Sequence, residues 1–269
     1  MTRFHSLTFL TDYGLEDAFV AVCHAVAFQI APDIQVTDIT HLIPLGDIRR
    51  GATVLAQAAG YFPPAVHVAV VDPGVGTARR GVAVAAGNAL FVGPDNGLLS
   101  VAIAAAGGAT RAVSLTNRTL WRDTTAATFH GRDIFMPVAA RLATGMPFDE
   151  AGEPVEVTSL VTLPQPGYRV TGNGAEAEVV TVDGFGNVQL SLPGAEAPLA
   201  RLIPGATVQL AWGGKTTSMP FRTTFGEVAQ GEPLCYRDSG DWVAIAVAGG
   251  DAARLLGLRP GTKITLTVA

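Results

Sequence analysis

Charged residues are scarce in this chain of 269 residues, at 15%, and the two cysteines, Cys23 and Cys235, lie far apart. The low charge excludes a disordered chain and a highly solvated tail. Lys and Arg number 18 against 23 Asp and Glu. The sequence therefore lacks the basic excess that grips a phosphate backbone, and no nucleic-acid partner is expected. Two distant cysteines give no disulfide framework, which favours a reducing compartment, the cytoplasm.

Long apolar runs are also absent. The longest apolar region, Ala18 to Ile30, is interrupted by His24 and Gln29 and is too short to cross about 30 Å of hydrocarbon. We expect a buried helix there and no membrane partner. The first 12 residues lack a small-residue cleavage pattern, so a first strand is expected rather than an export signal. With hydrophobic residues at 48%, the chain is expected to bury a large core and to form an oligomer.

Two patterns divide the sequence. Over residues 1–150, short aliphatic runs alternate with alanine-rich stretches, which predicts an α/β domain with a mostly parallel sheet and helices on both faces. Prolines at 154, 164 and 166 predict a linker over 151–167. Over 168–269, alternating segments between Gly and Pro turns predict an all-β barrel. Strands of the first domain are expected at 7–10, 34–38, 66–71, 82–86, 90–93 and 112–115, and helices over 18–30, from Asp47 to Tyr61, after Gly97 and from Asp133 to Ala143.

Acidic side chains follow the first three expected strands: Asp12, then Asp38 with His41, then Asp72. Ligands of an open parallel sheet bind beyond the carboxyl ends of its strands, so these groups would share one edge. The alternative is that each Asp caps the next helix or turn. Carboxylates and imidazoles in such a place also suit a divalent ion, so a metal-dependent hydrolase is a second alternative.

The segment from Val71 to Arg80 cannot be an ordinary strand. Pro73 stops strand pairing, and Gly74 and Gly76 permit backbone geometries closed to other residues. Arg79 and Arg80 end the loop and are placed to fold back toward Asp72. The segment lacks the ending of a P-loop and the spacing of a dinucleotide fingerprint, so a purely structural loop is the alternative.

Three further segments carry polar groups at turns or strand ends. In Thr128 to Asp133, His130 and Gly131 fall at a loop-to-helix junction, where free backbone N–H groups can meet a ligand. Asp133 is expected to cap that helix. Asn96 follows another expected strand and would place a polar side chain at the edge of the sheet. The segment from Asp183 to Asn187 is typical of a hairpin turn.

These motifs occur in order across nearly the whole chain, and together they resemble the S-adenosyl-L-methionine hydroxide adenosyltransferases, relatives of the fluorinating and chlorinating adenosyl synthases. The resemblance implies an N-terminal α/β domain, a C-terminal β-barrel and a homotrimer with each active site between the N-domain of one subunit and the C-domain of its neighbour. It also implies a reaction in which water displaces methionine from the ribose 5′ carbon of S-adenosylmethionine, without a metal or another cofactor.

The resemblance also implies roles for particular side chains. Asp72 would accept a proton from the water, while Arg79 and His130 hold both in place. Asp12 would bind the ribose hydroxyls. Asn96 and Gly131 complete the substrate-binding residues expected in the first domain. In the second domain the expected contacts are Asp183 with the methionine ammonium, Ser239 with its carboxylate, Phe185 and Phe225 around the adenine, and Asn187 at the adenine edge.

The resemblance favours water over halide as the nucleophile. Halogenating relatives carry Tyr where this chain has Asp72 and do not keep the Arg and His of the hydrolytic set, and Gly46 replaces a Trp of the fluorinating members. Three alternatives remain: an S-adenosylmethionine-dependent halogenase that forms 5′-chloro-5′-deoxyadenosine, the metal-dependent hydrolase, and a non-catalytic nucleoside-binding protein.

Overall fold

The structure, a computed structural model, describes residues 4–269. The chain divides into two compact units, Met1–Leu163 and Pro164–Ala269. The predicted linker, 151–167, is therefore largely part of the first unit. Val155, Val157 and Leu160 pack against a buried core of that unit, because the segment carries apolar side chains between its prolines.

The first unit is built on a seven-stranded sheet of order β2-β1-β3-β5-β4-β6-β7. Strands β2, β1, β3 and β5 are parallel, and the remaining pairings are antiparallel. This arrangement confirms the predicted α/β fold. The strands are β1 (Ser6–Thr11), β2 (Gln35–Thr40), β3 (Ala65–Val70), β4 (Gly81–Ala86), β5 (Ala89–Pro94), β6 (Ala109–Ser114) and β7 (Glu153–Pro154).

Four helices cover the two faces of this sheet: α1 (Phe19–Ile30), α2 (Ile48–Ala59), α3 (Ser100–Ala105) and α4 (Met136–Ala143). Helices α1 and α4 pack on one face, and α2 and α3 on the other. Asp47 caps α2 as predicted, since its carboxylate accepts the Arg50 N–H at 2.9 Å. Helix α1 is not fully buried, because only one stripe faces the sheet and Phe28 on the other side is 68% exposed.

The strand order opens a crevice between β1 and β3. The chain crosses from β1 to β2 through α1 on one face and returns from β2 to β3 through α2 on the other. At such a reversal the loops that follow the two central strands diverge, and ligands bind between them. Those loops begin at Asp12 and at Val71-Asp72.

One turn of π-helix, Gly131–Phe135, leads into α4. The predicted cap at Asp133 is wrong. Its side chain is fully buried within this turn, accepts the Ala126 N–H at 2.8 Å and pairs with Arg132 at 2.7 Å. The carboxylate ties the preceding loop to the helix because its hydrogen-bond partners come from both.

The second unit is an antiparallel sheet that nearly closes into a barrel, as predicted. Its strand order is β12-β11-β15-β9-β10-β14-β13, with β8 beside β9, and a bridge from Phe221 to Cys235 brings the two edges together. None of the helices described in residues 4–269 has the length and apolar character needed to span a bilayer. The elements are β8 (Arg169–Thr171), β9 (Gly174–Val182), β10 (Val188–Pro193), β11 (Thr207–Trp212), β12 (Lys215–Pro220), β13 (Pro233–Arg237), β14 (Trp242–Val247), α5 (Ala252–Leu256) and β15 (Lys263–Val268).

Candidate active site

A cleft of about 750 Å³ lies at the crevice of the first unit. This volume is within the range of about 300–1,000 Å³ that small-molecule sites occupy. The cleft brings together the loop after β1, the loop after β3 and the start of the π-helical turn. Its lining includes Asp12, Asp72, His130 and Gly131, four of the residues predicted for the site.

Asp72, Arg79 and His130 form one connected group. Arg79 Nε donates to the two carboxylate oxygens of Asp72 at 2.9 and 3.0 Å, and Nη2 also donates to Asp72 Oδ2. The same Nη2 lies 3.0 Å from His130 Nδ1. The side chains of Asp72 and Arg79 are only 4% and 12% exposed, so this bidentate pair is held in a mostly dry environment.

The hydrogen bond from Arg79 fixes the ring state of His130. Because a guanidinium only donates, Nδ1 must accept, and the neutral ring then carries its proton on Nε2. Burial, followed by the Arg79 charge, lowers the pKa of His130 below its ordinary value of 6.5. Neutral His130 can therefore donate from Nε2 to a water or ligand at neutral pH, while Asp72 can accept.

Two side-chain hydrogen bonds fix the loop after β3, one inside the loop and one at its end. Thr77 Oγ1 donates to the Gly74 carbonyl at 2.7 Å, and Arg80 Nε donates to Asp95 at 2.9 Å. Gly76 has φ +79°, and a Cβ there would lie 2.8 Å from the Ala127 carbonyl. A glycine is thus required where this loop meets the loop before His130.

Asp12 and Gly131 also line the cleft. Asp12 Oδ2 accepts the Gly46 N–H at 2.9 Å, which orients the carboxylate at the wall of the cleft. A Cβ at Gly131 would lie 2.1 Å from the Tyr13 hydroxyl. Gly131 is therefore the residue that lets Tyr13 pack against the helix start.

An aromatic wall was missed by the sequence reasoning. Tyr13, Phe19 and Phe129 contact one another edge to face, with ring centroids 5.4 to 6.2 Å apart. Arg132 lies over Phe129 at 4.7 Å. In the sequence, Tyr13 follows Asp12 and Phe129 precedes His130, and this proximity to predicted site residues could have indicated the wall. Isolated aromatic residues, however, usually indicate a hydrophobic core.

Other predicted residues of this unit lie elsewhere. Asn96 does not line the cleft: its amide donates to the Val71 carbonyl at 2.9 Å and its oxygen accepts the Leu98 N–H at 3.1 Å. It thus fixes the start of the Asp72 loop. Asp38 contacts His24 on α1 and His41 instead of joining Asp12 and Asp72, and neither Asp38 nor His41 lines the cleft. Within residues 4–269, Asp38 caps neither a helix nor a turn.

The predicted residues of the second unit lie at three turns. Asp183 to Asn187 forms the predicted hairpin turn between β9 and β10, where the Asp183 carboxylate accepts the backbone N–H groups of Phe185 and Asn187, each at 2.9 Å. Phe185 is 82% exposed. Phe225 contacts Tyr236 with ring centroids 5.0 Å apart. Ser239 is exposed in the turn before β14.

Electrostatic effects on Tyr236 show that two of these turns lie close together. Burial raises the pKa of Tyr236 to about 12, and the nearby carboxylates of Asp238 and Asp183 act in the same direction. Asp183, Phe225 and Tyr236 therefore belong to one surface region of the second unit. That region combines exposed aromatic rings with carboxylates, a combination suited to a cationic or aromatic ligand.

Comparison with known proteins identifies the family. Residues 7–152 match the SAM hydroxide adenosyltransferase N-terminal domain, and residues 177–265 match the C-terminal domain of the same family. SAM denotes S-adenosyl-L-methionine. The two matches cover most of the chain, which belongs to this family, and the resemblance inferred from the motifs is confirmed.

Several relatives are similar over nearly their whole length. A protein named (R)-S-adenosyl-L-methionine hydrolase from Salinispora tropica is 54% identical over 97% of each chain, and one of that name from Thermus thermophilus is 42% identical over 96% of this chain and 98% of its own. A protein named fluorinase from an Actinoplanes species is 25% identical over 98% and 97%. A crystal structure of an uncharacterized conserved protein from Thermotoga maritima matches with a TM-score of 0.91 and 36% identity, over 97% of this chain and 99% of that one.

Proposed function

We propose that this protein is an enzyme that hydrolyses S-adenosyl-L-methionine to adenosine and L-methionine. The observation that carries the proposal is the connected group in which Arg79 joins Asp72 and His130, two residues that line the cleft. The names of the relatives at 42–54% identity, over nearly the full chain, support the same reaction.

The proposed step is an in-line displacement at the ribose 5′ carbon. The water oxygen forms a bond to this carbon, the carbon–sulfur bond breaks, and the sulfur keeps the electron pair as the neutral thioether of methionine. A sulfonium is a good leaving group, so the enzyme must hold the water behind the carbon rather than activate the sulfur. We infer from this chemistry that the reaction needs no cofactor.

Asp72 and His130 have complementary tasks toward the water. Each Asp72 oxygen has a lone pair beyond those that Arg79 occupies, so the carboxylate can accept a hydrogen bond and then the proton. His130 donates from Nε2 and fixes the orientation of the water. Arg79 is proposed to hold both groups in place, and its hydrogen bonds to them at 2.9–3.0 Å support this role.

Asp12 is proposed to bind the ribose. Its carboxylate lines the cleft and suits a vicinal diol, which donates two hydrogen bonds to a carboxylate. The aromatic wall of Tyr13, Phe19 and Phe129 offers an apolar surface next to this carboxylate. Gly131 keeps that wall in place by admitting the Tyr13 hydroxyl.

The second unit is proposed to bind the two ends of the substrate, the methionine and the adenine. Asp183 would meet the methionine ammonium, Ser239 its carboxylate, and Asn187 the adenine edge, with Phe185 and Phe225 around the adenine. We further propose a homotrimer in which this unit comes from a neighbouring subunit. An aromatic ring as exposed as Phe185, at 82%, is expected to be covered in such an assembly. The two buried, unpaired thiols fit the cytoplasm.

Product analysis tests the reaction. Purified protein is incubated with S-adenosyl-L-methionine, with and without molar chloride, and the products are separated by chromatography. We expect adenosine and methionine in equal amounts in both cases. Formation of 5′-chloro-5′-deoxyadenosine would support the halogenase alternative, and bound adenosine without turnover would support a nucleoside-binding protein.

Subunit mixing tests the shared site. Asp72→Ala is combined, by co-expression, with the double variant Asp183→Ala/Phe185→Ala, each inactive alone. If every site joins two subunits, random mixing restores about a quarter of the sites, because each half is intact in half of the subunits. A site contained in one chain would give no recovery of activity. That result would refute the shared site but would not contradict the proposed reaction.

A further inference from the structure

His24, Asp38 and His41 form a cluster that the proposed reaction does not use. Asp38 Oδ1 lies 2.8 Å from His24 Nε2 and 3.0 Å from His41 Nε2. One ligand atom from each residue lies within 4.8 Å of the other two. The residues come from α1, from β2 and from the position directly after β2, so the fold, rather than one turn, assembles them.

His41 provides the second observation. Its side chain is only 2% exposed, and within residues 4–269 its Nε2 has no hydrogen-bond partner. The 3.0 Å approach of Asp38 Oδ1 lacks hydrogen-bond geometry. A buried polar nitrogen without a partner is unfavourable by itself, and a bound cation is one way to satisfy it.

A supporting contact is already in place behind His41. Thr11 Oγ1 lies 2.8 Å from His41 Nδ1. Metal-binding histidines almost always donate their second ring N–H to a neighbouring acceptor, which fixes the ring and leaves the other nitrogen free to coordinate. With the proton on Nδ1, His41 Nε2 presents its lone pair to the space shared with His24 and Asp38.

We propose that His24 Nε2, His41 Nε2 and an Asp38 oxygen bind a divalent transition-metal ion, with Zn²⁺ as the expected occupant. Two imidazoles and one carboxylate form a ligand set that zinc favours, and water completes the tetrahedron. Zinc bonds of about 2.0–2.2 Å place tetrahedral ligands roughly 3.3 Å apart. The two separations from Asp38 Oδ1, 2.8 and 3.0 Å, are slightly shorter. The side chains of His24 and Asp38, at 35% and 39% exposure, have room to move apart.

The metal would brace the loop that carries Asp12. The His41 carbonyl accepts the Gly14 N–H at 2.8 Å, and Thr11 Oγ1 accepts the Tyr13 N–H at 3.1 Å. Fixing His41 thus fixes both ends of the Asp12-Tyr13-Gly14 turn. The ion would stabilise the fold and the cleft wall without contacting the reacting atoms.

Metal titration of tag-free protein tests the site. Protein stripped with a chelator is dialysed and titrated with Zn²⁺ by calorimetry, and thermal unfolding is followed in parallel. We expect one ion per chain and an unfolding midpoint raised by about 5–10 °C at a hundredfold excess over Kd. Co²⁺ in place of Zn²⁺ should give the visible absorption of a tetrahedral nitrogen and oxygen site.

Two variants on the exposed side of the cluster separate this site from others. His24→Gln and Asp38→Asn should each weaken Zn²⁺ binding at least tenfold and remove the shift in midpoint, while the exposed His5→Gln leaves both unchanged. Both variants leave the buried His41 in place, so the fold is retained. Absence of stoichiometric binding, or equal binding by the variants, would overturn the proposal and show that the three residues form a contact network only. Neither result bears on the hydrolysis.

Discussion

Asp72 is the side chain on which the proposed reaction depends most. Asp72→Asn keeps the shape of the group but removes its charge and its capacity to take a proton. We expect kcat to fall by about 10²–10⁴-fold, with KM changed much less, in steady-state assays of adenosine formation.

The Arg111–Asp149 pair supplies a matched control for that variant. It is also a carboxylate–guanidinium contact, but Asp149 is 78% exposed and lies outside the cleft. Asp149→Asn should leave the rate unchanged. Full turnover by Asp72→Asn would remove Asp72 from the chemistry.

Protonation of His130 is expected to produce the acid limb of the pH dependence of kcat/KM. Its neutral form accepts the Arg79 hydrogen bond, and burial lowers its pKa below 6.5. As pH falls through this lowered value, the ring gains a proton, Nδ1 stops accepting and a positive charge faces the sulfonium. We expect kcat/KM to fall about tenfold per pH unit below a midpoint under 6.5, and His130→Gln to lose this limb. A midpoint at or above 6.5 would contradict the assignment.

At the scale of residues, the sequence predicted the reactive group better than its surroundings. Pro73 and the glycines indicated a loop that turns back, and the structure brings Arg79 to Asp72 through that loop. Tyr13, Phe19 and Phe129 were not predicted, since their contact depends on how three separate segments pack. The role of Asp133 also depends on packing, because its partner Ala126 lies in a loop without a regular pattern.

Among the elements, the loop after β3 matters most for the geometry of the site. Two of its glycines, Gly76 and Gly74, differ in how much space and backbone freedom a side chain would have. Gly76→Ala would force a left-handed backbone with φ +79° and a contact of 2.8 Å with the Ala127 carbonyl, whereas a Cβ at Gly74 has its nearest neighbours at 3.5 Å. We expect Gly76→Ala to cost about 1–3 kcal/mol of unfolding free energy and to lower kcat by displacing Arg79.

Gly74→Ala is the matched control in the same loop and should change both quantities far less. Denaturant unfolding and steady-state kinetics of the two variants provide the comparison. Equal effects of the two substitutions would show that the loop geometry does not depend on the backbone at Gly76.

Helices and strands were predictable where a local sequence pattern, such as a capping residue or an alternation of apolar and polar residues, indicates them. Asp47 caps α2, and the alternating strands of the second unit form the expected sheet. The segment 151–163 was less predictable, because its prolines indicated a linker while its apolar side chains pack on the first unit. The π-helical turn at 131–135 was not predicted. It contains the buried Asp133 and the close approach of Tyr13 to Gly131, and both depend on tertiary packing.

At the scale of the whole molecule, His67 on β3 predicts part of the pH dependence of stability. The ring is 1% exposed, contacts Thr8 Oγ1 at 2.8 Å and stacks on Phe91, and burial lowers its pKa from 6.5 to about 4. The unfolded chain takes up the proton first, so stability is lost as pH falls from 6.5 to 4. At about 1.36 kcal/mol per pKa unit, this loss is about 3 kcal/mol.

Urea unfolding at pH 7.5 and pH 4 measures this loss. His67→Gln should remove about 3 kcal/mol of the difference between the two pH values, and the exposed His5→Gln should remove none. The same difference in His67→Gln as in the original chain would show that His67 is not the titrating group.

Isotope incorporation from the solvent distinguishes attack by water from other routes to the product. Turnover is run in oxygen-18 water, and the adenosine is analysed by mass spectrometry with fragmentation of the ribose. Attack of a held water on the 5′ carbon predicts one heavy oxygen at the 5′ hydroxyl of every adenosine formed, in proportion to the enrichment of the water. Adenosine without label, or a 5′-substituted product in its place, would contradict the account.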